Sequence, residues 1–199
     1  SEIDVRHCDV IRHALDNYGY DHNDILGLVD GDMFLIRPLS IRAQMRDSHV
    51  IGSRKEDASG SLEFFSGSLV FFDPGKIPEP HDLSFSIQFI NDAVTLVGGA
   101  SYRYLSNHKD LPVKKYDIEP VGSFRYFDGD QLTAKGFSPA EQELITTIDA
   151  NTELHMNRMF MKYGPVNAHR DRSSKAVDKE KLKDGKLKIM SQFFSKIML

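Results

Sequence analysis

The sequence predicts an α/β fold, a mixed, mostly parallel sheet flanked by helices. Two observations predict it. A helical stretch, "DVRHCDVIRHALDNYG", runs into a continuous apolar run, "ILGLV", and a helix followed by an unbroken apolar strand points to a parallel sheet. Two further apolar stretches, "HVIGS" and "FFSGSLVFFD", read as strands of the same sheet. The 199 residues, 40% hydrophobic and 27% charged, supply enough apolar material for a core.

In the first helix Val10, Ile11, Ala14, Leu15 and Tyr18 recur on one face. Asp4 can cap its start and Gly19 suits a left-handed position past its end. "ILGLV" is then a short buried strand. "MFLI" resumes the apolar run and Pro38 stops it. "SRKEDASGS" is a polar loop. Gly67 inside "FFSGSLVFFD" marks a bulge or a close approach. The three prolines of "DPGKIPEPHD" oppose helix and ladder alike. "SFRYFDGDQLTA" reads as a β-hairpin. "SPAEQELITTIDANTELHMNRMFMKYGP" is the clearest helix, with Ser138 and Glu141 as a capping box, Pro139 at its first position and Gly164-Pro165 as its stop. Residues 176–199 form a lysine-rich amphipathic C-terminal helix.

A formal net charge of −4 with no single basic face argues against a nucleic-acid binder. No apolar run approaches the roughly 20 residues of a membrane helix. No secretory signal pattern is visible. Cys8 is the one cysteine, so an internal disulfide and a cysteine-based metal site are both excluded. A cytoplasmic, reducing compartment is the expectation.

Asp30-Gly31-Asp32 interrupts the apolar stretch "ILGLVDGDMFLI", and Asp128-Gly129-Asp130 repeats the tripeptide. Buried carboxylates are costly unless something cationic satisfies them. Residues two apart in a strand share a side, so Asp30 and Asp32 aim together at the strand end, where open α/β sheets bind ligands. Two convergent carboxylates suit Mg²⁺ or Mn²⁺. The alternative is a tight turn, the reading preferred for the second copy.

The run "ILGLVDGDMFLIRPLSI" resembles the D-x-D (DXD motif) region of glycosyltransferases with the GT-A fold. "FFSGSLVFFD" is similar to a later strand with a small residue beside the donor sugar. "VGGASYRYL" resembles a Gly-Gly segment near the acceptor, and "NAHRDRSSK" a late loop whose His completes the metal site. The matches lie in order over residues 4–175, and residues 1–175 are read as one GT-A-like domain. The resemblance implies a metal-dependent glycosyltransferase using a nucleotide-diphosphate sugar and an unidentified acceptor. Mn²⁺ or Mg²⁺ would be held by Asp32 with Asp30 and His169, acting as a Lewis acid on the diphosphate. Arg170 and Arg172 can contact phosphates. Arg6 and His7 can reach the nucleotide if the helix start faces the site. Gly67, Gly98 and Gly99 leave room for a sugar. Asp92 is the nearest carboxylate for a catalytic base, but Leu96 and Val97 stand where the family often has Asp. GT-A domains place several strands before D-x-D and this chain has one, so the expected core lacks its first part and its nucleotide recognition is incomplete.

Two rivals stay open. One is a haloacid-dehalogenase-like phosphatase with Asp30 as nucleophile and Asp32 as acid/base, for which Phe34 is too bulky. The other is a non-enzymatic fragment or degenerate partner-binding domain. Its tail, with Leu182, Ile189, Phe193 and Ile197 on one face, would dock on its own domain or make peripheral contact with an anionic membrane.

Overall fold

The computed structural model describes residues 2–56, 62–90, 93–95, 97–124, 126–147 and 152–162. The elements run α1 (Glu2–Ala14), β1 (Leu26–Val29), β2 (Met33–Leu35), α2 (Ile41–Gln44), β3 (Val50–Glu56), β4 (Glu63–Phe72), β5 (Phe89–Ile90), β6 (Ala93–Val94), α3 (Ser101–Asn107), β7 (Val113–Tyr116), β8 (Glu119–Pro120), α4 (Gly129–Ala134), α5 (Pro139–Thr147), β9 (Glu153–His155) and β10 (Phe160–Lys162). The chain divides into two compact units. One is built on residues up to Glu119 together with the segment from Glu153, the other on the excursion from Pro120 to Thr152. Among the described residues no helix is long and apolar enough to cross a membrane.

The first unit is mixed α/β. One sheet has the order β1-β4-β3-β7; a second runs β2-β10-β9, with Glu119 of β8 at its far edge. The sheet is mixed, as expected, but its pairings are mainly antiparallel rather than mostly parallel. β3 and β7 pair in parallel, while β1–β4, β3–β4, β2–β10 and β9–β10 are antiparallel. Six residues separate β3 from β4, too few for the crossover that a parallel neighbour needs.

Strand alternation divides the core. Along β4, Val70 and Phe72 join one cluster with Ile11 of α1 and Leu15 just after it, while Leu69 and Phe71 join another with Met33 and Phe160. β3 splits Val50 from Ile51 in the same way. Two glycines make the rings of β4 possible. A Cβ on Gly52 would sit 2.1 Å from Cδ1 of Phe65, and one on Gly27 would sit 2.7 Å from Cε1 of Phe71. Gly27 faces Phe71 directly across the β1–β4 pair.

Several expectations are corrected. β1 is an edge strand of alternating partial exposure, with Val29 47% exposed, rather than a buried one. The helix α1 already includes Asp4, which therefore is not its cap. Its buried line is Cys8, Ile11 and Leu15, whereas Val10 and Tyr18 face solvent. Gly19 closes a π-helical turn, Leu15–Gly19, without a left-handed φ. A Cβ there would meet the methyl ends of Leu15 at 2.9 Å and Leu26 at 3.2 Å, so close packing rather than backbone conformation favours glycine. Of the helix expected from Ser138 to Gly164, α5 covers Pro139–Thr147, and Glu153–His155 and Phe160–Lys162 form a hairpin instead. Pairing of β10 with β2 buries Phe160 and Met161 on its two sides, so packing against the sheet overrides local helix preference. The hairpin turn is tight, with Met156, Asn157 and Arg158 all at positive φ.

In the second unit, Phe124 stacks edge-on against Phe137 at 5.0 Å. The second Asp-Gly-Asp is not a hairpin. Asp128 caps α4, accepting from the Gln131 N–H at 2.8 Å, and the Gln131 side chain accepts from the Asp128 N–H. The capping box read at Ser138 and Glu141 is present on α5.

Gly52→Ala should destabilise the fold by about 2 kcal/mol in urea unfolding, through overpacking against Phe65. Gly31→Ala, with nothing within 4 Å of its Cβ, should leave it nearly unchanged. Asp128→Ala should cost about 1 kcal/mol and speed hydrogen exchange at the Gln131 amide, with Asp130→Ala sparing that amide.

Candidate functional site

β1 delivers Asp30-Gly31-Asp32 as a turn rather than as more strand. The Met33 N–H donates to the Asp30 carbonyl at 3.0 Å, and the Asp30 N–H donates to the Ser68 carbonyl at 2.8 Å. The turn joins two sheets, since β1 pairs with β4 and β2 with β10. It is therefore neither a β-hairpin nor a strand end with parallel side chains. The two carboxylates still converge, on one cation.

That cation is Lys162. Its Nζ donates to Asp30 Oδ2 at 2.7 Å and to Ser68 Oγ at 3.0 Å, and lies 3.9 Å from Asp32 Oδ1. Register explains its place: Lys162 sits opposite Met33, the residue after the acidic turn. The side chains of Asp30 and Lys162 are 15% and 21% exposed, against 39% for Asp32. His7 of α1 brings Nε2 within 3.6 Å of Asp30 Oδ1. Burial pushes the Asp30 carboxyl up, but Lys162, Ser68 and His7 outweigh it and hold the carboxyl below its ordinary value of 3.8.

A second layer of charge lies behind the first. Lys55 of β3 is depressed below its ordinary value by burial and by the charge of Lys162, against the pull of Glu153 and Asp30. Glu153 on β9 is pushed up by burial, yet ends below its ordinary value because His155, Lys55 and Lys162 favour its charged form. His155 is fully buried, with Nε2 3.3 Å from Glu153 Oε2.

The glycines expected near a sugar converge on the same strand end. β4 bulges between its pairings with Gly52 and Arg54 of β3, and Gly67 lies in the bulge. The Gly67 N–H points at the Val97 carbonyl, 3.4 Å away. A Cβ on Gly67 would meet Val97 Cγ1 at 2.7 Å, and one on Gly98 would meet the Phe65 carbonyl at 1.9 Å. Gly98 takes φ 101°. A Cβ on Gly99 would meet the Thr95 hydroxyl at 1.8 Å. The Val97 and Thr95 side chains and the Phe65 carbonyl fill the space where each glycine's side chain would stand, so that space is taken by the protein itself rather than left for a sugar, and bulge and close approach hold together at Gly67. Asp30, Ser68, Gly67 and Gly98 thus form one chain of backbone neighbours.

Arg6 lies exposed on α1, one residue before His7. Asp92, His169, Arg170 and Arg172, with the amphipathic tail, lie outside the described residues. Lys162, Ser68, Lys55 and Glu153 escape sequence reasoning. The signal available for Lys162 was the demand of two carboxylates for a positive charge.

A divalent cation on this pair fits poorly. Asp30 is committed to an ammonium at hydrogen-bond distance, and Asp32 is close to the same charge. Among the described residues no group of three or more His, Cys, Asp or Glu side chains could hold a metal ion.

No family model, no curated protein and no solved structure matches this chain.

Asp30 has a lower pKa folded than unfolded, so its stabilisation is present above the unfolded value of 3.8 and is lost as pH falls through its folded value. Asp30→Asn should flatten that acid dependence in a urea series run at successive pH values. Lys162→Met should destabilise the fold by about 2 kcal/mol at neutral pH and bring unfolding on at higher pH.

Proposed function

We propose that this chain transfers a sugar from a nucleotide-diphosphate donor to an acceptor at the strand end occupied by Asp30 and Asp32. The observation that carries the reading is the convergence of Asp30, Gly67 and Gly98 where the end of β1 meets the bulge in the middle of β4. Those residues resemble, in order, the metal-and-donor motif, the donor-sugar strand and the acceptor-side glycines of GT-A enzymes. The convergence is one of fold, since the three segments are 30 or more residues apart in the chain. Asp32, the more exposed carboxylate, faces the donor in this reading. Asp30 is held as its ionised, immobile neighbour. Arg6 and His7 approach from α1 on the nucleotide side, and Asp92 is the proposed base.

Phosphoryl transfer to Asp30 is a second reading. A carboxylate flanked by an ammonium and a hydroxyl has the groups to accept a phosphoryl. It ranks second because Phe34 is bulky beside the turn that would present the phosphate.

Release of nucleoside diphosphate from a panel of UDP-, GDP- and ADP-sugars, with Mn²⁺ and with EDTA, tests the first reading. Turnover of one donor is expected, reduced about a hundredfold by Asp32→Ala through loss of an electrostatic group at the reacting centre. Silence with every donor, or full activity in Asp32→Ala, rejects it. A covalent phosphate on Asp30 in the mass spectrum after exposure to a phosphomonoester would favour the second.

A further inference from the structure

Three features make Lys162 more than an ordinary surface partner of Asp30. The first is its anchoring. β10 lies between β2 and β9, and its register sets Lys162 directly opposite Met33, beside the acidic turn. A one-residue slip would turn the side chain to the other face. The second is the number of contacts. Nζ donates to Asp30 and to Ser68, which sits on the bulge of β4, so two elements of the first sheet hold the ammonium. The third is charge. With Lys162 in place the two carboxylates and the ammonium sum to −1 rather than −2. A doubly charged ion within reach of both carboxylates would also lie close to a like charge. Mg²⁺ further demands near-octahedral oxygen ligation, and one oxygen of Asp30 is already bound at 2.7 Å.

We propose that Lys162 is the resident cation of this site, standing where a D-x-D sequence leads one to expect a divalent metal, and that it keeps Mn²⁺ and Mg²⁺ off Asp30. The acidic pair is a lysine-neutralised one, and chemistry at it proceeds on the protein's own charges. The proposal rests on the transferase reading only for what is bound there. The ion balance itself is independent of that reading.

Mn²⁺ alone is the probe, titrated into the full chain and followed by loss of the free-ion electron-paramagnetic-resonance signal. Lys162→Met should bind Mn²⁺ at least about tenfold more tightly than wild type, because one like charge has been removed. Lys162→Arg, which keeps the charge, should not gain. The double variant Lys162→Met, Asp32→Asn should lose the gain. Equal affinity in wild type and Lys162→Met, or a gain in Lys162→Arg, overturns the proposal. A measurement on wild type alone covers the case in which Lys162→Met does not fold. Acylation of Lys162, quantified by peptide mass spectrometry, should be the same with and without Mg²⁺. A rise in labelling on adding Mg²⁺ would mean that metal takes Asp30 and frees the lysine, which also overturns the proposal. Failure of every sugar donor would reject the transferase reading and leave these ion measurements standing.

Discussion

The bond between Lys162 and Asp30 is the constraint on which the first unit is organised. Asp30 is the last residue before the chain leaves one sheet for the other, and Lys162 is the last described residue of the strand that receives it. The ammonium closes a loop that the backbone opens: β1 to the acidic turn, the turn to β2, β2 across to β10, and β10 back to the turn. Without it a mostly buried carboxylate would lose its nearest cation, and such a group either takes a proton or drives the segment open. Charge therefore decides where the two sheets meet, and apolar packing fills in on either side.

Around that contact the central strand works by a division of space between glycine and aromatic rings. β4 carries Phe64, Phe65, Phe71 and Phe72, and the neighbouring strands offer Gly27 and Gly52 beneath two of those rings. Glycine weakens a strand by its freedom in the unfolded chain. Here the loss is offset by ring area that no larger residue would admit. The bulge at Ser66–Leu69 follows from the same economy. β4 must serve β1 and β3, whose pairing partners fall out of step at Gly52 and Arg54, and the extra residues carry Gly67 and Ser68 towards the acidic turn.

The sequence discloses the parts of this arrangement that depend on local chemistry. The helix at the N-terminus, the strands around Val50 and Phe65, the capping box at Ser138 and the peculiarity of Gly67 are all legible, because each is set by residues a few positions apart. The parts decided by distant partners are not. "ELHMNRMFMK" has helical composition, and only β2, which reaches it from more than a hundred residues away, makes it a hairpin. The two copies of Asp-Gly-Asp look alike as tripeptides, yet one is satisfied by Lys162 and the other by the amide of Gln131. The second could have been read locally, since Asp128 and Gln131 stand at capping-box spacing. The first could not, because nothing near Asp30 in the chain names its cation.

The 132-residue separation of Asp30 and Lys162 also orders events in time. Long-range contacts carry a loop-closure cost that local ones avoid, and synthesis delivers the N-terminal partner first. α1, β1 and the acidic turn leave the ribosome long before β10 does. During that interval the two carboxylates remain hydrated, and β2, from Met33 to Leu35, is an unpaired edge. β10 then closes the edge and brings the neutralising charge in one step, so the pairing of β2 and the completion of the site are the same event.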